Sequence, residues 1–341
     1  MRLPTARGPL SGALLTTLGS APGTHRRGWP AVDSAEPLTD EDLQLALFVC
    51  YELHYRGWDD VAEDWEWDPV VLTLRARLEA PFEAALRAEA GTQPPVTPTG
   101  LADRLTALVG TSRGPSLAGY MQRHATLGEF REFVAHRSVY HLREADPHSW
   151  AIPRLDGRPK AALIEIQADE YGGGRLERMH SELFRTTMDQ LALDSTYGAH
   201  VDAAPAVTLA HSNVMSLLGL HRRLRGAALG HLAAFEMTSS MANRRYGNGL
   251  RRLGGGPVAT RFYDEHVEAD AVHEQIAVHD LCVAFAEREP HLGGDVLFGA
   301  ACAQIAGSVT ATHLLDHWKA GRTSLLHALP PCPDDLLGAA A

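Results

Sequence analysis

Apolar positions along most of this chain recur at three- and four-residue intervals, the period of one face of an α-helix. Almost nowhere do they alternate with the period of two that marks a strand. The first such run follows Thr39, a residue able to cap it, through DEDLQLALFVCYELHYRGW. A second covers 69–90, where Pro81 interrupts the pattern and leaves either two helices or one kinked helix. GTQPPVTPTG at 91–100 is a loop, punctuated by proline and glycine. Helical periodicity returns in LADRLTALVG and for much of 116–146, then breaks at Asp146-Pro147 and at 150–159. It resumes over 161–171, 176–193, 206–220, 224–244, 262–287 and 296–319, with no repeat of fixed period. The pattern predicts an all-α bundle forming one domain, with a core at 116–325 and accessory helices at 38–115 packed on it. Residues 1–37 read as a disordered or flexible segment and 326–341 as a flexible tail.

Composition narrows the class. With 341 residues and 45% hydrophobic side chains, the chain can bury one large core or two smaller ones. Charged residues at 21% and aromatics at 7% are ordinary for a globular protein. A net charge of -11 excludes nucleic acid as an expected partner, because phosphate contacts need clustered Lys and Arg. Basic runs at 222–225 and 244–252 read as solvated helix ends and a loop, the sharper alternative being a dock for an anionic substrate or acidic electron donor. Cys50, Cys282, Cys302 and Cys332 show no C-x-x-C pairing, which fits a reducing, cytoplasmic location. No apolar run is read as approaching a membrane span, and no membrane partner is expected. The weakly apolar LSGALLTTLGS lacks a following A-x-A cleavage site and is assigned to the disordered tail rather than to a signal peptide.

Candidate chemistry centres on RFYDEHVEADAVHEQ, where His266, Asp270 and His273 have the spacing H-x3-D-x2-H. Positions i, i+4 and i+7 share one helix face, so two imidazoles and a carboxylate converge into a mixed N/O site suited to Fe, Mn or Zn. Further donors are sought on helices whose surroundings are apolar, where a carboxylate is costly without a partner. Glu236, flanked by Ala233, Ala234, Phe235 and Met237, meets that test. Glu170 and His180 are ten residues apart, about 15 Å on a straight helix and too far for one metal. Gly172, Gly173 and Gly174 lie between them and permit a bend that would return one to the other. Glu165, Asp169, Glu177 and Glu182 are local competitors, each otherwise a solvated helix charge, and Glu144 on its own reads as a surface charge. His211, His221, His231 and His279 read as hydrogen-bonded bundle residues, and His313 and His317 as packing or surface groups. Tyr140, Tyr171 and Tyr263 are candidates to support the ligands through hydrogen bonds.

Together these residues resemble the heme-oxygenase-like di-iron oxidases and oxygenases, a superfamily of iron-containing redox enzymes. In that family a first core helix supplies a Glu and a His, a second a Glu and a third H-x3-D-x2-H. The matching positions here are Glu170 and His180, Glu236, then His266, Asp270 and His273, over roughly 120–320. EIQADEYGGG is typical of a bacterial branch that includes N-oxygenases with an extra upstream carboxylate, and Glu144 stands where that seventh ligand falls. The resemblance implies a heme-oxygenase-like helical bundle with extra N-terminal helices, and a cage for two iron ions in which Glu170, Glu236 and Asp270 take part in catalysis. It implies O2 as co-substrate, an external electron donor (a reductase or a small-molecule reductant) and a peroxo-diferric intermediate. The implied substrate is a small amine or amino acid of a specialised-metabolite pathway. N-oxygenation is favoured slightly over oxidation of a C–H bond, including desaturation, C–C cleavage or cyclisation. A homodimer is a further expectation, and an accessory metal-binding barrel is not. The alternative is a metal-independent, thiaminase-like hydrolase or ligand-binding protein on the same scaffold; it would want a nucleophilic cysteine, yet Cys282 and Cys302 lack an obvious activating partner. A haem-binding oxygenase would need an open pocket without crowding carboxylates.

Overall fold

In the computed structural model of the protein, residues 1–23, 28–93, 95–111, 114–331 and 336 are described, apart from the side chains of Asp270 and Ala271. Cys332 and most of the expected C-terminal tail lie outside the described residues. No strand occurs among the described residues, and the fold is all-α and heme-oxygenase-like. Helices α1 (Pro9–Leu18), α2 (Glu41–Glu52), α3 (Pro69–Ala90) and α4 (Pro98–Gly110) come first. After them come α5 (Leu117–Arg123), α6 (Leu127–His141), α7 (Asp146–Ser149), α8 (Gly157–Glu170) and α9 (His180–Gln190). The last five are α10 (Ala206–Leu220), α11 (Arg225–Arg252), α12 (Pro257–Gln275), α13 (Ala284–Arg288) and α14 (Gly293–Lys319).

Local chemistry explains the boundaries. Asp40, rather than Thr39, caps α2 by accepting from the Asp42 and Leu43 amides. Thr126 and Glu129 form a capping box at the start of α6. α3 runs as one helix through Pro81. The run expected as one helix at 262–287 begins at Pro257 and passes through a π-helical segment, Ile276–Val283, into α13.

α11 is the central helix, lying along α12 on one side and α14 on another, with α5 across it. Gly230 and Gly299 make the α11–α14 approach possible. A Cβ on Gly230 would collide with the Val296 backbone, and one on Gly299 with the Ala227 backbone. α10 packs between α2 and α14, α9 against α12, and α8 against the π-helical segment.

Two expectations are corrected. The segment 1–37 is not a disordered tail throughout, because α1 buries Leu10, Leu14 and Leu18 from one helical face in the core shared with α2. The Asp42 carboxylate fixes its start by accepting from the Leu10 and Ser11 amides at 2.7 Å each. The second concerns membrane-length runs: Pro290–Lys319, with mean hydropathy 1.3, is long and apolar enough to cross a bilayer by length and composition. It is 61% buried inside the molecule over that window, as befits the core helix α14.

Candidate metal centre

The three glycines after α8 decide the site. Their φ angles are 64°, 61° and 78°, all in the left-handed region that glycine enters without steric cost. The chain turns back so tightly that a Cβ on Gly172 would lie 2.6 Å from backbone atoms of Arg178 and Met179. Glu170, the last residue of α8, therefore meets His180, the first of α9, with Oε2 and Nδ1 2.9 Å apart. The bend inferred from chemical need is present.

Glu144 enters from the turn after α6, Glu236 from the middle of α11, and His266 and His273 from one face of α12. Their donor atoms form two groups, each with all atoms within 4.8 Å of one another. One group is Glu144, Glu170, His180 and His266; the other is Glu170, Glu236 and His273. Glu170 belongs to both, the position a bridging carboxylate would hold. Asp270 lies on α12 between the two histidines, and its side chain is outside the described residues.

The donor set fits iron. All six side chains are at most 9% exposed, so three carboxylates and three imidazoles are crowded where isolated charges are expensive. Glu144 Oε2 is buried with no hydrogen-bond partner among the described residues, a lone pair left for a cation. The mixed hard-oxygen and imidazole chemistry suits iron.

Neighbouring groups fix the tautomers. His266 Nδ1 donates to the Phe262 carbonyl at 2.8 Å, which leaves Nε2 as a lone pair 3.6 Å from Glu144 Oε1. His273 Nε2 donates to Asp169 Oδ2 at 3.0 Å, leaving Nδ1 facing Glu236 Oε2 at 3.5 Å and Glu170 Oε1 at 3.9 Å. His141 Nδ1 holds Glu144 Oε1 at 2.8 Å. Burial pushes the Glu144 carboxyl up, but the imidazoles of His141 and His266 outweigh it and hold the group well below the usual carboxylate range. In Glu170 burial is likewise outweighed, chiefly by His180, whose own imidazole is raised against its burial by Glu170.

Other readings sort plainly. Asp169 is exposed, yet it is the partner of His273 rather than a merely solvated charge. Glu165 and Glu177 are exposed, and Glu182 accepts from Arg185. Tyr171 donates to Asp146, Tyr140 is buried near Glu144 and Glu170, and the Tyr263 hydroxyl is buried without a hydrogen-bond partner among the described residues. His221 pairs with Glu79, His231 with His148, and His279 is exposed. His313 bonds the Ser324 carbonyl and His317 the His313 carbonyl, consistent with packing. His141 and Arg137 were not singled out from the sequence. His141 stands three residues before Glu144, a spacing that could have flagged it.

A cavity of about 450 Å³ opens onto the donors, lined by Glu144, Glu170, Glu236 and His266 and by aromatic rings including Tyr140, Phe184 and Phe235. That size suits a small-molecule ligand. None of its described lining residues is a cysteine. Cys282 and Cys302 are buried elsewhere, with thiols pushed up by burial, and Cys50 is pushed up to about 12 by the same cause. A thiol nucleophile for the metal-independent alternative is therefore not offered there.

Residues 131–308 match the family described as iron-containing redox enzyme. Over 136 residues the chain is also 27% identical to nitrosourea synthase from Streptomyces achromogenes subsp. streptozoticus. That stretch covers 40% of this chain and only 29% of the relative's length.

Proposed function

The chain belongs to the iron-containing redox enzyme family, and from that premise we propose that it is an O2-activating, non-haem di-iron oxidase or oxygenase. Its substrate is a small amine or amino acid of a specialised-metabolite pathway. The observation that carries this reading is Glu170 standing in both donor groups, which is what two metals sharing one carboxylate require. We assign Glu144, Glu170, His180, Glu236, His266, Asp270 and His273 as the ligands, with Glu144 the seventh. When bound, two irons in this donor set supply reductive activation of O2, with electrons from an external reductase or small-molecule reductant.

The protein's own residues do the positioning. Asp169 and the Phe262 carbonyl hold His273 and His266 with their lone pairs inward. His141 steers Glu144. Aromatic rings of Tyr140, Phe184 and Phe235 wall the space beside these donors. The likeness to a protein named for a nitrosourea, together with Glu144, favours oxygenation at nitrogen. We place the enzyme in the cytoplasm, where buried thiols such as Cys50 stay reduced, and assign it a homodimer.

Anaerobic Fe(II) titration tests the reading. Two irons per chain are expected in the native protein and fewer in Glu170→Ala and Glu236→Ala, with a visible absorbance transient on mixing with O2 that both variants lose. Full iron content in both variants would remove the ligand assignment. Product analysis by mass, with labelled O2, then separates oxygen insertion at nitrogen from hydrogen removal at carbon.

A further inference from the structure

Arg137 is the only lysine or arginine among the described residues lining the cavity, and among them it has neither an ion-pair partner nor a hydrogen bond. Its guanidinium carbon lies 5.5 Å from the Phe133 ring centroid, on the cavity wall. His141 of α6, His211 of α10 and Tyr263 of α12 line the same cavity, so Arg137 stands among residues converging from three helices. The other arginines of this segment have polar partners: Arg131 donates to the Leu191, Ala192 and Pro330 carbonyls, and Arg143 pairs with Glu52.

A half-buried guanidinium on an aromatic-lined cavity wall without an anion is a ready partner for one, which a ligand entering the cavity can carry in. The cavity's own carboxylates, Glu144, Glu170 and Glu236, belong to the donor groups, and none of them pairs with Arg137. Arg137 stands one helical turn before His141, about 6 Å of axis, and Glu144 lies beyond the end of α6 in the turn that follows, so the donor groups begin more than one turn from Arg137. An anion held at Arg137 thus reaches the donor groups only through a chain several bonds long.

We propose that Arg137 is the anion subsite of this cavity, taking the carboxylate of a chain-like amino acid and directing the far end of that chain toward Glu144, Glu170 and Glu236. The orientation rests on the proposed metal centre, whereas the carboxylate contact does not.

The test is anaerobic calorimetry on the Fe(II)-loaded protein with L-ornithine, L-lysine and L-arginine and with their carboxamides. At least one free acid binds the native protein, and Arg137→Gln weakens it by about tenfold or more, the effect of losing a charged hydrogen-bonded partner. The matching carboxamide binds native protein and Arg137→Gln alike, and Arg137→Lys recovers part of the loss. Equal binding of the acid to native protein and Arg137→Gln, equal binding of acid and amide, or no binding by any of the six overturns the proposal. Orientation is read from paramagnetic broadening of a 13C-labelled bound acid: the terminal carbon broadens more than the carboxyl carbon, and the reverse gradient overturns it. Iron analysis of the same samples keeps the two readings apart. Arg137 dependence without two irons sinks the metal centre alone, and two irons without Arg137 dependence sink the subsite alone.

Discussion

Asp169 shows how a half-exposed side chain acts at a buried site. Its carboxylate is 51% exposed, yet it takes the Nε2–H of His273, which is 4% exposed, and so sets which ring nitrogen faces Glu236 and Glu170. Groups that orient a ligating imidazole in this way typically contribute 10–100-fold in metal affinity. Asp169→Ala should lower iron affinity by about that factor while leaving the metal-free fold nearly unchanged, and Asp169→Asn, which keeps an acceptor, should lose less. Competition with a colorimetric chelator, beside thermal melts of the metal-free protein, measures both; unchanged affinity in Asp169→Ala would show that the hydrogen bond does not matter. At this scale type and spacing in the sequence picked out most of the side chains that the structure gathers, whereas Glu144 by itself read as a surface charge. Asp169 and His141 were less legible because their value comes from a partner on another helix or around a turn.

At the scale of elements, the glycine turn between α8 and α9 does more than any helix to make the site. Gly172 and Gly173 both hold positive φ, but a Cβ on Gly173 would meet nothing within 4 Å, whereas one on Gly172 would meet the backbone of Arg178 and Met179 at 2.6 Å. Gly173→Ala should therefore cost only the left-handed strain, about 1 kcal/mol. Gly172→Ala should cost more, on the order of 1–3 kcal/mol, and should separate Glu170 from His180 and reduce iron loading. Urea denaturation and iron analysis of the two variants side by side measure this; equal behaviour would mean that the turn relaxes without moving the donors. The helical segments themselves were legible from periodicity, down to the bounds of α10. The π-helical turn at Ile276–Val283 was not, because its apolar residues fit a helical pattern of either winding. α1 was missed because Gly12, Thr16 and Thr17 dilute a stripe that only the packing of Leu10, Leu14 and Leu18 against α2 makes significant.

For the whole molecule, burial of histidines sets how stability responds to acid. His148 is lowered to about 4 and His211 to about 3 by burial, and His136 and His231 lie well below their ordinary value for the same reason. In the unfolded chain each imidazole takes up its proton near 6.5. Between that value and the lowered ones the unfolded state binds more protons, so stability is present above about pH 6.5 and is lost as pH falls toward 4. Each such histidine contributes up to about 1.4 kcal/mol per pH unit across the window. Denaturation of the metal-free protein at stepped pH should show this decline, and His211→Gln should flatten it by one histidine's share. An unchanged slope in that variant would mean that His211 is protonated in the fold. The same interior ties the N-terminal helices to the site: Arg143, next to Glu144, pairs with Glu52 of α2 at 3.3 Å, and Tyr197 donates to that same carboxylate.

By itself the sequence determined that the chain is helical, because apolar periodicity is a local property that survives in one dimension. It also singled out side-chain types that gather at the site and the shared face of His266 and His273, because a regular helix converts spacing directly into direction. Only the tertiary structure decided that Glu170 meets His180 across a turn of three left-handed glycines, that Glu170 stands in both donor groups, that Asp169 orients His273, and that Arg137 faces the cavity without an anion. Those facts depend on backbone departures from the helix and on which faces of separate helices meet, and such relations arise when the chain packs rather than from any spacing along it.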